Sequence, residues 1–181
     1  LLPLANNNQT LFQATIHRYA HLNCSFKIIT NTDINDNYLL AQLSIFNNLD
    51  ISVIKEPHSR NTTAALILAL LKIDKENQNA DDIILVSPCD HLIDNLEKFV
   101  ESIEIAKKVA EKGYIITFGI TPTNTETSFG YIKRNDEKLA DQIFKVQTFK
   151  EKPDAQTVTE FVNDKNYYWN SGILMAKKSV I

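Results

Sequence analysis

Four short segments combine residue types suited to phosphate and sugar chemistry. Glu56-Pro57-His58-Ser59-Arg60-Asn61-Thr62-Thr63 puts a carboxylate, a guanidinium and a helix-capping amide at the mouth of a helix. A helix N-terminus gathers unpaired N–H groups, and a neighbouring Arg adds a fork of donors, so the pair suits a nucleotide or a phosphate. An ordinary capped helix with a surface Arg fits the same residues. Ser87-Pro88-Cys89-Asp90-His91 sets Asp90 just past an apolar run, where one carboxylate can share a hard cation such as Mg2+ with waters and substrate phosphates. His91 beside it can act as a base or as a hydrogen-bonded partner. Glu151-Lys152-Pro153 offers adjacent opposite charges for a sugar's hydroxyls and its phosphate, or simply an exposed pair. Trp169-Asn170-Ser171-Gly172 joins an aromatic, a two-sided amide and a glycine that admits a ligand close to the backbone, while Trp169 can equally serve as core.

Elements that deliver these segments are legible in the pattern. After the polar turn Asn6-Asn7-Asn8, Thr10 can cap a helix reaching residue 22, with Leu11, Phe12, Ile16, Tyr19 and Ala20 at helical spacing. Residues 26–30 read as a short buried strand, 33–46 as a helix with Leu39, Leu40, Leu43 and Phe46 on one face, and 51–54 as a β-branched strand. Strand, helix, strand is the crossover of a parallel sheet. A helix over 61–76, a strand over 82–86, a helix over 96–112 and a strand over 114–119 continue the alternation. The fold class is therefore α/β: a Rossmann-like, mostly parallel sheet with helices on both faces. A small additional β segment follows, with strands over 130–134 and 143–149, a helix over 155–163 and a last strand over 173–176. The stretch 64–73 is apolar nearly all round and is predicted to be buried. Ligands on such sheets bind past the carboxyl ends of the strands, which points at the residues after Ile54, Val86, Gly119 and Phe149.

The 181 residues, 44% of them hydrophobic, carry no repeat, low-complexity tract or Pro/Gly linker, so residues 1–181 read as a single domain. A net charge of -3 excludes the broad basic field that draws proteins to nucleic acid or anionic lipid. The apolar stretch 64–71 is too short to span a bilayer and Leu1 opens no signal peptide, so a soluble, cytoplasmic protein without a membrane partner is expected. Cys24 and Cys89 have neither zinc-site spacing nor a disulfide framework and read as reduced, buried thiols. Leu1-Leu2-Pro3-Leu4 and Lys178-Ser179-Val180-Ile181 read as the cut ends of a longer polypeptide.

Taken in order, the segments resemble the mannose-1-phosphate guanylyltransferase family of nucleotidyltransferases. Glu56-Pro57 with Arg60-Asn61-Thr62 is similar to that family's Glu-Pro-x-x-Arg-Asn-Thr, and Pro88-Cys89-Asp90-His91 to its Pro-Ala-Asp-His. Phe118-Gly119-Ile120, Pro122-Thr123, Glu126-Thr127 and Gly130-Tyr131-Ile132 resemble its next stretch, and Glu151-Lys152-Pro153 and Tyr168-Trp169-Asn170-Ser171-Gly172 complete the set. The resemblance implies that mannose 1-phosphate attacks the α-phosphorus of GTP with Mg2+ present, giving GDP-mannose and pyrophosphate, mostly through positioning and charge neutralisation. It implies that Asp90 is catalytic as a Mg2+ ligand. By the same resemblance Glu56, Arg60, Asn61 and Thr62 lie on the nucleotide side, and Gly130, Glu151, Lys152 and Asn170 on the sugar-phosphate side. GTP and mannose 1-phosphate are the implied partners, and a homo-oligomer stays open.

Departures from the family's pattern carry expectations too. Thr63-Ala64 stands where Ala-Pro is usual, and Ser128-Phe129 where Gly-Tyr is usual, which is expected to alter the loop entering Gly130. The family's glycine-rich phosphate loop with its Arg and Lys, and the first strand, would precede Leu1, and a second metal-binding carboxylate would follow Ile181. The domain is therefore expected to be incomplete and this segment by itself inactive. Nothing from Glu56 to Thr62 spells out guanine, so a different base or sugar 1-phosphate is the first alternative. A non-catalytic binding or regulatory module is the second.

Overall fold

The computed structural model describes residues 9–58, 60–76 and 81–181. Leu1-Leu2-Pro3-Leu4, the turn Asn6-Asn7-Asn8 and Ser59 lie outside the described residues. The chain forms two compact units, one made of the described residues up to 76 with Cys89–Asp94, the other of Asp81–Pro88 and Asn95–Ile181.

In the first unit, α1 (Leu11–Tyr19) opens on a capping box. The Thr10 hydroxyl accepts from the Gln13 N–H at 3.2 Å, and the Gln13 side-chain oxygen accepts from the Thr10 N–H at 3.2 Å. β1 (Phe26–Asn31), α2 (Asp36–Leu43) and β2 (Ile51–Glu56) make the expected crossover, with the strands parallel and Phe26 opposite Ile51. Phe12, Ile16, Leu39 and Phe46 form the core, flanked by Phe26, Ile28, Leu43, Leu49 and Ile51. Leu40 does not join them: it is 61% exposed, because one helical step of about 100° from Leu39 turns it off the apolar face. α3 (Asn61–Glu76) has the expected bounds and packs on β1 and β2. Its predicted burial is corrected, since Ile67 and Leu71 are exposed and Ala69 is the residue that is buried. A two-stranded sheet covers one face of a helix and leaves the other bare.

The second unit holds β3 (Ile83–Val86), α4 (Leu96–Ala110), β4 (Ile116–Ile120), β5 (Tyr131–Ala140), β6 (Ile143–Lys150), α5 (Ala155–Asn163) and β7 (Tyr167–Lys177). β7 is the hub of a five-stranded sheet in the order β3-β7-β5-β6, with β4 also on β7. Its later half lies between β3 and β4, Met175 being opposite both Leu85 and Ile116. Its earlier half lies between β4 and β5, Trp169 being opposite both Ile120 and Tyr131. Every pairing in this sheet is antiparallel, so β3 and β4 run in one direction with β7 between them running back. The α/β class stands, with its parallel pair in the first unit and an antiparallel sheet in the second. α4 packs on β7 and buries Ile103, Ala106, Val109 and Ala110.

Cys24 and Cys89 are free thiols in exposed residues, which corrects their expected burial. Partial desolvation of each sulfur still pushes its pKa up, and the Asp90 charge adds to this at Cys89. Among the described residues no helix is long and apolar enough to cross a membrane.

Candidate functional site

Gly130 stands just before β5, against the end of β6. A Cβ there would come within 2.8 Å of Glu151 Oε2 and 2.9 Å of Phe149 Cζ, so the space that a side chain would need is already filled. The Gly130 carbonyl accepts from the Asn170 N–H at 2.8 Å, and the Phe129 carbonyl accepts from the Lys152 N–H at 3.2 Å. The structure thus brings Gly130, Glu151, Lys152 and Asn170 together in the second unit. The side chains of Glu151 and Lys152 are exposed, with Lys152 Nζ 3.5 Å from Glu151 Oε1. Lys152 has a φ of 43°, left-handed backbone that costs a non-glycine residue about 1 kcal/mol. Such strain persists where surrounding bonds enforce it.

A buried network supports this corner. Tyr131 is fully buried; its hydroxyl donates to the Glu126 carbonyl at 2.9 Å and accepts from Trp169 Nε1 at 2.9 Å. The Phe129 ring meets the Trp169 ring edge-on at 5.3 Å. The Ser128 N–H and hydroxyl donate to the Glu126 carboxylate at 3.0 and 2.8 Å, and these bonds hold that carboxyl below the usual range. The serine that stands where the family usually has glycine therefore adds a hydroxyl bond within the loop. Asn170 is fixed in turn, its Oδ1 accepting from the Thr117 hydroxyl at 3.0 Å and the Gly172 N–H at 3.3 Å.

The other expected residues belong to the first unit. Glu56 ends β2 opposite Asn31. Asn61 opens α3 with a φ of 64°, a left-handed value that Asn tolerates better than most residues, and Arg60, Asn61 and Thr62 are exposed. The Asp90 side chain is 79% exposed and its Oδ1 lies 3.9 Å from His91 Nε2, a loose pairing. The loop is held instead through its backbone: Arg18, 5% exposed on α1, donates from Nη2 to the His91 carbonyl at 2.7 Å. Sequence reasoning passed over Arg18, because a charged residue on a helix ordinarily reads as solvated. It passed over Thr117 as an ordinary strand residue, and it read Tyr131 only as part of Gly130-Tyr131-Ile132, with no role of its own.

Among the described residues no group of three or more His, Cys, Asp or Glu side chains could hold a metal ion. A cavity of about 630 Å3 in the second unit is lined by Tyr114, Phe118, Ile132, Phe144 and Tyr168, with Arg134 and Lys145. None of the expected site residues lines it.

With this geometry in place, comparison with known proteins is decisive for the family: the sequence profile described as nucleotidyl transferase matches residues 1–180. The chain belongs to the nucleotidyl transferase family. It is 35% identical over 170 residues to a mannose-1-phosphate guanylyltransferase of Escherichia coli, covering 92% of this chain and 36% of that protein. Among solved structures it is similar to a mannose-6-phosphate isomerase from Helicobacter pylori, with a TM-score of 0.85 and 29% identity over 97% of this chain and 64% of that one. It is also similar to a protein described as a mannose-1-phosphate geranyltransferase from Thermus thermophilus, with a TM-score of 0.80, 26% identity, and coverage of 97% and 49%. The chain thus spans little more than a third of the length of the E. coli relative.

Proposed function

We propose that the protein transfers a guanylyl group from GTP to mannose 1-phosphate, giving GDP-mannose and pyrophosphate, and that residues 1–181 belong to one nucleotidyltransferase domain. The names of the relatives support the substrates. The observation that carries the reading is the convergence of Gly130, Glu151, Lys152 and Asn170, with Glu151 Oε2 filling the space beside Gly130.

In this reaction a phosphate oxygen of the sugar 1-phosphate forms a bond to the α-phosphorus of GTP. The bond from that phosphorus to the oxygen bridging the α- and β-phosphates breaks, and pyrophosphate leaves with the electron pair. Lys152 neutralises the sugar's phosphate, while Glu151 and Asn170 hold its hydroxyls. Arg60 and the N-terminal N–H groups of α3 receive nucleotide phosphates, with Glu56, Asn61 and Thr62 on the same side. Asp90 suits Mg2+: its carboxylate is a hard, exposed oxygen donor, and Mg2+ completes its shell with waters and substrate phosphates. When bound, Mg2+ supplies neutralisation of triphosphate charge. We read the enzyme as cytoplasmic and without a nucleic-acid or membrane partner.

The test is pyrophosphate release by the full-length protein with mannose 1-phosphate or glucose 1-phosphate and each of GTP, ATP, UTP and dTTP. Preference for GTP, with GDP-mannose as product, is expected. Preference for a different nucleotide reassigns the base, and preference for glucose 1-phosphate reassigns the sugar. Nucleotide binding without turnover on any pair would mark a binding module.

A further inference from the structure

Asn170 sits where β7 breaks its regular pairing. Thr117 of β4 lies opposite Leu174, yet Gly119 lies opposite Asn170, so residues 171–173 of β7 face residue 118 alone. This is a β-bulge, a device that re-aims side chains and is common beside active sites. Gly172 within it takes a φ of 73°. Two donors converge on Asn170 Oδ1: the Gly172 N–H at 3.3 Å and the Thr117 hydroxyl at 3.0 Å. The Ile173 carbonyl lies 3.4 Å from the same hydroxyl, whose single proton goes to the nearer acceptor, Asn170 Oδ1. A backbone N–H can only donate, so the amide atom facing Gly172 is the oxygen and not the nitrogen. Among the described residues no protein acceptor takes a hydrogen bond from Asn170 Nδ2.

We propose that Thr117 is a positioning residue that sets the specificity of Asn170: by occupying Oδ1 it leaves the amide only its Nδ2 donors, so Asn170 selects an acceptor oxygen on the sugar. The inference rests on the reading of Asn170 as a sugar contact. It adds the polarity of that contact and the residue that enforces it. Without the Thr117 hydroxyl the amide is held only by the 3.3 Å bond from the Gly172 N–H, so its Nδ2 donors are aimed at the sugar less closely and Oδ1 regains a free lone pair.

The experiment compares Thr117→Val, Thr117→Ser and Asn170→Ala in the full-length enzyme. Thr117→Val is expected to raise KM for mannose 1-phosphate about tenfold, the worth of one lost hydrogen bond. KM for GTP should hold, the melting temperature should fall only by the small amount one strand-to-strand hydrogen bond is worth, and Thr117→Ser should restore both it and the sugar KM. If Asn170→Ala raises the sugar KM and Thr117→Val does not, Thr117 has no positioning role although the sugar reading survives. If Asn170→Ala leaves the sugar KM unchanged, the sugar reading itself fails and the inference with it. Equal loss toward both substrates with a lowered melting temperature would mark Thr117 as merely structural and overturn the proposal. The polarity is also readable in the wild type, with mannose 1-phosphates whose ring hydroxyls are replaced one at a time by fluorine or by hydrogen. A donor-only amide predicts one position at which the fluoro sugar keeps more affinity than the deoxy sugar, because fluorine still accepts. Equal losses at every position would overturn it.

Discussion

In the first unit Glu56 ends a strand, Asn61 and Thr62 open a helix and Asp90 lies in a loop, whereas in the second Gly130 and Asn170 are tied to each other through the strand ladder, with the exposed Glu151 and Lys152 beside them. Arg60, Asn61, Thr62 and Asp90 are all exposed, and the Asp90 loop is anchored through the His91 carbonyl and not through the carboxylate itself. Gly130 and Asn170 share a backbone bond of 2.8 Å, and Asn170 accepts two further bonds at its side chain. The difference teaches how each side would work. The second unit holds a preformed surface, where a small displacement spoils fit. The first offers exposed charge, which on this reading would meet a polyanion that brings its own ordering.

Asp90→Asn gives the largest expected effect. It removes charge at an exposed position, so turnover should fall by at least about a hundredfold while stability stays within about 0.5 kcal/mol. Steady-state kinetics and urea unfolding check both, and near-normal turnover at saturating Mg2+ would break the account of the first unit. Gly130→Ala should act on sugar binding instead. The new Cβ displaces the exposed ends of Glu151 and Phe149, so stability should drop by less than about 1 kcal/mol while KM for mannose 1-phosphate rises more than KM for GTP. An alanine variant with the wild-type sugar KM would show that Glu151 is not set by Gly130.

Lys152 separates charge from backbone. With φ at 43°, Lys152→Gly should be about 1 kcal/mol more stable than Lys152→Ala by urea unfolding, while both weaken sugar-phosphate binding alike. Equal stabilities would remove the strain from the account. The smallest effect is a pH dependence in the loop. Hydrogen bonds from Ser128 lower the Glu126 pKa in the folded state, so its contribution is present above the ordinary carboxylate pKa and is lost as pH falls through the lowered one. Trp169 is the lone tryptophan of these 181 residues and touches Phe129 and Tyr131, so its fluorescence in this segment should report the loosening. Ser128→Ala should move that transition to higher pH, and an unmoved transition would assign it to another group.

What the sequence made legible follows from locality. α3 and α5 are legible with their bounds because helical spacing, and the Asp154 cap of α5, are written within a few residues. Of β7 only 173–176 is legible, because Asn170, Ser171 and Gly172 look like a loop until a bulge accommodates them in an eleven-residue strand. Direction of pairing was hidden as well: alternation marks a strand, but nothing local says that β7 runs back between β3 and β4. At the site, the unusual residues after strands were visible as types. Their helpers were not, since Arg18, Thr117 and Tyr131 act through contacts 73, 53 and 38 residues away in sequence.

The central claim is that sugar phosphate and nucleotide are recognised by different units. Titrating mannose 1-phosphate into the isotope-labelled full-length protein, and following backbone amide shifts, tests it most directly. The account predicts that Gly130, Lys152, Asn170 and Gly172 shift together with one affinity, while Arg60, Asn61 and Thr62 respond only to GTP with Mg2+. Shifts caused by mannose 1-phosphate at Arg60, Asn61 and Thr62, with Gly130 and Asn170 silent, would contradict it.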